Sequence, residues 1–194
     1  MKKASTYRCP CCRAQVPVRD MQQVLSLLPF DGIFFRQGDS LQDSFLMMLK
    51  RYPGLYPWWA CDDCIRSKKA LLGNPKRQFY IFGHPMDTAP PFLAYWDRRY
   101  TCHTCQGDFT FGMHEQQFWY EQKAFVVHSQ PKNCLDCRIE LRERKALNTE
   151  LSTLLADGTP TNKAELKRIA EIYELMGKSE KRKAYEAALR KLRN

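Results

Sequence analysis

Four pairs of cysteines, each with two residues between its members, constrain this chain more than any other feature of its sequence. They take up eight of the nine cysteines. They are Cys9/Cys12, Cys61/Cys64, Cys102/Cys105 and Cys134/Cys137. A tight turn at this spacing directs both sulfur atoms to one side, and two such pairs complete a tetrahedral metal site. The pattern therefore predicts two metal sites with four thiolate ligands each.

The ligand type favours zinc as the metal. Four thiolates suit Zn²⁺, which has no redox chemistry, although a rubredoxin-like iron or an iron–sulfur centre also takes four sulfurs. Four disulfides would need an oxidising compartment, and catalytic redox pairs normally occur singly beside a βαβ pattern. Buried free thiols would not repeat at a fixed spacing. We therefore expect two Zn²⁺ ions per chain.

An internal repeat indicates which pairs share a metal. When Cys9 is aligned with Cys102, Tyr7 falls on Tyr100, and the alternating Val16 and Val18 fall on Phe109 and Phe111. The closing halves, "CDDCIR" and "CLDCRI", also match, with Asp63 over Asp136. The chain thus carries one zinc unit twice, with insertions of different length. The first site is predicted to be Cys9, Cys12, Cys61 and Cys64, and the second Cys102, Cys105, Cys134 and Cys137. An interleaved arrangement, with the first pair meeting the third, is the alternative.

The ninth cysteine, Cys11, is predicted to bind no metal. In the repeat it falls on Thr104, which cannot supply a thiolate. A Cys9/Cys11 pair is the alternative, but it spans fewer residues than the usual metal-binding turn.

The stretch from Asp97 to Arg138 resembles the probable zinc-ribbon domain family of bacterial and plant proteins. The family pattern is matched here by "CHTCQGDFTF", "EQQFWY", "KAF" and "PKNCLDCR". The resemblance implies a metal-binding role for the four cysteines of the second unit and covers the first unit loosely. Two departures stand out: Gln106 and Ala124 replace glycines. If position 106 needs a positive φ, Gln106 is strained unless Gly107 takes the turn instead.

These segments predict an α+β fold. Two tandem treble- or ribbon-like zinc modules, with short strands and helices, precede a C-terminal helical region with one tetratricopeptide-like hairpin. We expect a first module at 1–69 with a helical insertion, a basic and proline-rich connector at 70–99, a second module at 100–140, and the helical region at 141–194. In the insertion, "DMQQVLSLLPF" and "DSLQDSFLMMLKRY" have apolar residues at helical spacing.

Aromatic residues in both modules have two interpretations. Phe118 and Phe125 lie seven residues apart in a predicted short helix. This spacing favours an interpretation in which both rings pack in the core and cover the zinc site. A platform on which nucleic-acid bases stack is the alternative. Trp58 and Trp59 precede Cys61 and are expected to pack over the first site, the alternative being one exposed tryptophan as a contact surface.

The C-terminal third predicts three helices. The first runs on from Cys137 to near Gly158, the second begins with a cap at Thr161 or Asn162 and ends at Gly177, and the third restarts at Ser179. The segment 178–194 contains seven basic and two acidic residues. It is the element most suited to contact an anion, although such runs are commonly solvated helix ends.

The charge of the chain favours an anionic partner. The formal net charge is +10 and the pI is near 9.2, and contacts of lysine and arginine with phosphate release counterions. A solvated surface is the alternative explanation for these residues. The predicted nucleic-acid contacts are Lys68, Lys69, Lys76, Arg77, Lys181, Arg182, Lys183, Arg190 and Lys191.

No motif in the sequence indicates catalysis. It has no phosphate-binding loop, dinucleotide fingerprint or nucleophile elbow, and four protein ligands leave a zinc ion no open position for water. We therefore expect a non-enzymatic zinc-binding adaptor for RNA, DNA or a ribonucleoprotein. The alternative is a protein-interaction module that uses the C-terminal hairpin or the tryptophan-rich insertion. Without an apolar leader or an apolar run of eighteen residues, a cytoplasmic location with no membrane and no small-molecule substrate is expected.

Overall fold

A computed structural model describes residues 5–28, 41–51, 58–79, 91–127, 129–156, 158, 160 and 162–192. The chain divides into two compact units. The first comprises Met1–Cys102 and Gln106–Lys132, and the second His103–Cys105 and Asn133–Asn194. The boundaries expected at 69, 99 and 140 stay predictions. Across the described ranges, every helix is too short or too polar to cross a membrane.

Three antiparallel hairpins of short strands lie in the first unit. Their strands are β1 (Thr6–Arg8) and β2 (Gln15–Pro17), β3 (Leu71–Leu72) and β4 (Ala94–Tyr95), and β5 (Arg98–Thr101) and β6 (Asp108–Phe111). Tyr7 pairs with Val16 in the first hairpin, and Tyr100 pairs with Phe109 in the third. These are the positions that the repeat superimposes. The repeat in the sequence is therefore a repeat of backbone structure.

The helices of the first unit are short. They are α1 (Gln22–Leu25), α2 (Leu41–Arg51), α3 (Asp62–Arg66) and α4 (Met113–Gln117), with 3₁₀ turns at Val18–Asp20 and Pro75–Arg77 and a π-helical turn at Phe118–Gln122. Both helices predicted in the insertion are confirmed, the first as a single turn. Their apolar faces are buried, as the periodicity predicted: Val24 and Leu25 in α1, and Phe45 and Leu49 in α2.

Two apolar clusters form the core of the first unit. One joins the first hairpin, α1 and α2 to Trp59 and to the buried cysteines Cys9, Cys61 and Cys64. Trp59 is 2% exposed, so the expectation that it packs beside the first site is confirmed. The half-buried Trp58 packs edge-on against Phe92, with ring centroids 4.9 Å apart. The second cluster gathers Phe92, Tyr95, Phe111, Tyr120 and Val127.

The expectation that Phe118 and Phe125 form core is wrong. They are 42% and 45% exposed, and the buried aromatic residue of this segment is Tyr120. The prediction assumed one continuous α-helix, but α4 ends at Gln117 and the chain continues as a π-helical turn. A π turn contains more residues than an α turn, so positions seven apart no longer share the buried face.

The second unit contains three helices, α5 (Leu135–Leu154), α6 (Lys163–Leu175) and α7 (Ser179–Lys191). The three predicted helices are confirmed, although α5 begins two residues before Cys137 and ends before Gly158. The Asn162 side chain accepts a hydrogen bond from the Ala164 amide (2.8 Å) and caps α6. Leu151, Ile169, Ile172 and Tyr173 form the core between α5 and α6, with Tyr185 of α7 packed against it. The likeness of α6 and α7 to a tetratricopeptide hairpin stays a prediction.

Candidate metal centres

The first cysteine pair of each module lies in the turn of a hairpin. In the first module the Cys9 amide donates to the Ala14 carbonyl, and the Arg13 amide donates to the Cys9 carbonyl, both at 2.8 Å. These bonds close the turn between β1 and β2 around the pair. Arg13 adopts a positive φ of 67°, which allows the chain to turn back after Cys12.

The second pair of the first module lies at the start of α3. Cys61 is the residue before the helix, in extended conformation, and Cys64 lies in its first turn. The Cys61 amide donates to the Cys9 sulfur at 3.3 Å, which ties the two pairs together. Between the two cysteines, the 5% exposed Asp62 accepts hydrogen bonds from the amides of Gln22 and Gln23, both at 3.0 Å. Asp62 thus holds α1 against α3 and fixes the orientation of the ligand-bearing turn.

The four sulfur atoms of the first site fit a zinc ion. The Sγ atoms of Cys9, Cys12, Cys61 and Cys64 lie within 4.8 Å of one another. Those of Cys61 and Cys64 are 3.6 Å apart, and those of Cys12 and Cys61 are 3.8 Å apart. A tetrahedral Zn²⁺ with bonds of about 2.3 Å requires sulfur separations of about 3.8 Å. These separations are far too long for disulfides.

The second site repeats this construction. The Cys102 amide donates to the Gly107 carbonyl (2.9 Å), and the Gln106 amide donates to the Cys102 carbonyl (3.0 Å). Gln106 itself has a φ of 60°, like Arg13 at the matching position, so the turn does not shift to Gly107. Cys134 precedes α5 as Cys61 precedes α3. The sulfur atoms of Cys102, Cys105, Cys134 and Cys137 also lie within 4.8 Å of one another.

The two groups are separate, not interleaved. Each combines a hairpin turn with the start of a helix, and each takes the pairs that the repeat predicted. Cys11 belongs to neither group: its sulfur lies 3.8 Å from the Lys69 carbonyl oxygen. The chain therefore has two four-cysteine groups, and each can hold one zinc ion.

The pKa values of the thiols in the first site determine whether a metal ion has to displace protons when it binds. Burial raises the pKa of Cys61 to about 11 and also raises that of Cys64. At Cys12 burial alone would raise the pKa, but hydrogen bonds outweigh it and the pKa is lowered. The strongest of these hydrogen bonds is with the Ala14 backbone. Metal ligation requires thiolates, so binding at this site must displace protons from the buried pair. When bound, zinc would stabilise the thiolates and link the hairpin to the helix.

A comparison with family models agrees with this geometry. Residues 96–146 match the model of a family described as a probable treble clef domain. This segment is similar to a probable treble clef domain, and the zinc-ribbon-like resemblance is confirmed for this part of the chain. In both modules a hairpin turn carries the first ligand pair, and the start of a helix carries the second pair. No curated protein and no solved structure matches the chain.

Eight of the nine predicted contact residues have exposed side chains. They are Lys68, Lys69, Lys76 and Arg77 in the first unit, and Lys181, Lys183, Arg190 and Lys191 in the second. Arg182 differs because it is half-buried and forms ion pairs with Glu174 and Glu186 of its own unit. The contact roles of all nine residues stay predictions.

Three buried polar residues were not anticipated from the sequence. Besides Asp62, Gln78 is 7% exposed and both donates to the Phe92 carbonyl and accepts from the Phe92 amide, each at 2.7 Å. Gln116 is 2% exposed and donates to the Trp96 and Phe111 carbonyls, also at 2.7 Å. A single polar residue among apolar neighbours gives no sequence signal of such long-range bonds. Gln116 thus supports the hairpin that carries Cys102 and Cys105, whereas Gln78 bonds to the segment that precedes β4.

Proposed function

We propose that this protein is a non-enzymatic, zinc-stabilised adaptor that binds single-stranded nucleic acid, free or within a ribonucleoprotein. One observation carries the proposal: the first unit exposes phenylalanines among basic side chains. Phe79, Phe118 and Phe125 are 51%, 42% and 45% exposed. We call these three, together with Lys76, Arg77 and Lys123, the phenylalanine face.

Contacts between two chain segments bring these residues together. The Asn74 amide donates to the Glu121 carboxylate (2.7 Å), and the Val127 amide donates to the Phe79 carbonyl (3.2 Å). Residues 74–79 therefore lie alongside residues 118–127. Within the latter segment, the Lys123 ammonium lies 5.3 Å from the Phe118 ring centroid.

Physical chemistry favours nucleic acid as the ligand of such a face. Exposure of a phenylalanine ring to water is unfavourable, so its burial against a ligand lowers the free energy. Clustered exposed apolar groups commonly mark binding sites. A base stacked on an aromatic ring contributes about 1–3 kcal/mol, while lysine and arginine nearby attract the phosphate backbone. Exposed rings with cations nearby suit a flexible single strand better than a duplex, whose bases are already stacked.

Zinc has a structural role in this proposal. Four protein ligands in each group leave no coordination position for water or substrate. The metal instead holds the hairpins and helices that carry the exposed face. We infer from this closed ligand set that the protein is not an enzyme.

A matched pair of variants tests the phenylalanine face. Phe118→Ser with Phe125→Ser should weaken binding of fluorescein-labelled U12 RNA at least tenfold in fluorescence anisotropy, because about 1.4 kcal/mol corresponds to tenfold. Met47→Ser removes an apolar side chain that is 55% exposed elsewhere in the unit and should leave binding unchanged. Equal affinity of the wild type and the double variant, with zinc content intact, would show that the phenylalanine face does not bind the RNA.

A protein partner is the second candidate, favoured by the surface of α5. Leu135 and Ile139 lie one helical turn apart and are 55% and 39% exposed. Affinity purification from the native cell, with and without nuclease, separates the two functions. Partners lost with nuclease support nucleic-acid binding, whereas protein partners retained after nuclease and lost on Leu135→Ser with Ile139→Ser support the adaptor surface on α5.

A further inference from the structure

A pocket of about 350 Å³ in the first unit has an unusual concentration of arginine. It lies between the turn of the first hairpin and the start of the third. Its lining consists of Pro10, Arg13, Trp96, Asp97, Arg98 and Arg99. The volume is within the range of small-ligand sites and is sufficient for one nucleotide unit. None of these residues was among the predicted contacts.

Arg98 is held in this pocket by aromatic rings. Its guanidinium carbon lies 4.7 Å from the ring centroid of Trp96, 5.7 Å from that of Phe92 and 6.0 Å from that of Trp58. Its Nε and Nη2 atoms are out of contact with solvent and have no hydrogen-bond acceptor among the described residues. The rings stabilise the cation by cation–π contact but supply no negative charge. A half-buried guanidinium is therefore fixed in place without an anion.

The three arginines of the pocket share this lack of an acidic partner. Within the ranges that the structure describes, Arg13, Arg98 and Arg99 form no ion pair, whereas Arg66, Arg168 and Arg182 all do. The single carboxylate of the lining, Asp97, is already engaged, because it accepts a hydrogen bond from the Met113 amide at 2.9 Å. With three arginines and one aspartate in its lining, the pocket has a net charge of +2.

We propose that this pocket binds one phosphate group of a single-stranded nucleic acid, with the adjoining nucleoside against Trp96. Arginine suits the task because its guanidinium presents several N–H donors that match phosphate oxygens. The exposed Arg13 and Arg99 supply these donors, and Arg98 adds positive charge, because its Nε and Nη2 atoms are out of contact with solvent. Arg98 is oriented in advance by the rings around it, so it loses little side-chain entropy when the phosphate binds. The half-buried indole of Trp96 offers the aromatic contact that distinguishes a nucleotide from a simple anion. This proposal rests on the proposed function and specifies a second contact of the same ligand.

The test replaces two exposed arginines of the pocket and leaves Arg98 in place. Arg13→Gln is compatible with the fold because the second module carries Gln106 at the matching position with a similar positive φ. Arg99→Gln changes an exposed side chain on β5. Arg8→Gln with Arg19→Gln removes the same charge from exposed positions outside the pocket and serves as the control. Zinc content of each variant verifies the fold.

Binding of labelled U12 RNA is measured by anisotropy over a range of salt concentrations. The pocket variant should bind at least tenfold more weakly than the control variant, and its plot of log affinity against log salt should be shallower by roughly 0.7, since one phosphate contact on a single strand contributes roughly 0.7. Uridine monophosphate, titrated by calorimetry, should bind at least a hundredfold more weakly than the RNA.

Each contrary result has a distinct meaning. If the pocket and control variants bind RNA equally, the pocket proposal fails while the proposed function stands. If the wild-type protein binds no RNA, the proposed function fails and the pocket proposal fails with it. If uridine monophosphate binds as tightly as the RNA, the pocket is a site for a free nucleotide, which also overturns the proposal.

Discussion

Cys11 and Cys12 are adjacent in the chain, yet only Cys12 belongs to a metal site. The Cys12 sulfur lies 3.8 Å from that of Cys61, whereas the Cys11 sulfur contacts the Lys69 carbonyl oxygen. The sequence repeat predicts the same choice, since Thr104 occupies the place of Cys11 in the second module.

Substitution of these neighbours separates a ligand from a bystander. Cys11→Thr introduces the residue found in the second module and should keep two zinc ions per chain. Cys12→Ser should retain one zinc ion, because serine does not replace a thiolate ligand. Metal analysis by mass spectrometry under native conditions measures both. Loss of zinc from Cys11→Thr, with Cys12→Ser unaffected, would show that the ligand set is wrong.

Zinc binding at the first site should release protons and weaken as the pH falls. The raised pKa of Cys61, about 11, and the raised pKa of Cys64 mean that both thiols are protonated at pH 7 without metal. Each displaced proton changes the affinity by about tenfold per pH unit. Calorimetry of the Cys134→Ser protein in two buffers of different ionisation enthalpy should report at least two protons released per zinc. Release of none would contradict a buried thiol site.

At the scale of structural elements, two hairpin turns carry non-glycine residues in the left-handed region. Arg13 and Gln106 have φ values of 67° and 60° at matching positions of the repeat. Ala124, also noted as a replacement for glycine, has a φ of 50°. This conformation costs an L-residue roughly 1–2 kcal/mol. The two departures from the family pattern therefore coincide with real backbone requirements.

Gln106→Gly should stabilise the protein. Relief of the left-handed backbone exceeds the added entropy of the unfolded chain, and the net gain should be about 0.5–1 kcal/mol. Ala14→Gly changes a position without a positive φ in the matching turn of the first module and should instead cost about 0.4–1 kcal/mol. Thermal denaturation of the zinc-loaded proteins measures both effects. A lower midpoint for Gln106→Gly than for the wild type would contradict the assigned conformation.

The hairpin of β3 and β4 depends on a close backbone approach at Gly73. Its amide donates to the Leu93 carbonyl (2.9 Å), and a Cβ atom at this position would lie 2.4 Å from the Phe92 carbonyl oxygen. Gly73→Ala should therefore destabilise the first unit by about 1–3 kcal/mol. Gly112→Ala places its Cβ no closer than 3.7 Å to the nearest atom and should shift stability by at most about 0.5 kcal/mol. Equal denaturation midpoints for the two variants would contradict the packing at Gly73.

Sequence patterns predicted some of these elements and missed others for physical reasons. The long apolar periodicities of α2 and α6 identify helices directly, and Asn162 marks the start of α6. The single-turn helix α3 has no periodicity to detect, so the location of Cys61 and Cys64 at a helix start was not predicted. Phe118 and Phe125 were misassigned because a π-helical turn changes the spacing of the buried face. The arginine pocket joins distant segments, and only tertiary structure brings them together.

At the scale of the whole molecule, charge and binding features are distributed unevenly. The segment 178–194 carries half of the net charge of +10. In that segment Arg182 is paired with glutamates, and Lys181 lies 5.6 Å from the Tyr173 ring centroid. The first unit combines exposed rings and exposed lysines with three arginines, Arg13, Arg98 and Arg99, that form no ion pair with any residue the structure describes. We therefore expect its substitutions to affect nucleic-acid binding more than those in α7.

Two closed four-cysteine groups are expected to hold one zinc ion each and to stabilise the hairpin turns and helix starts that carry their ligands. The most direct test is the metal content of the purified wild-type protein, measured by elemental analysis together with its mass under native conditions. We expect two zinc ions per chain, no iron, and one zinc ion in Cys134→Ser. Iron in place of zinc, fewer than two metal ions in the wild-type protein, or two zinc ions retained in Cys134→Ser would contradict this expectation.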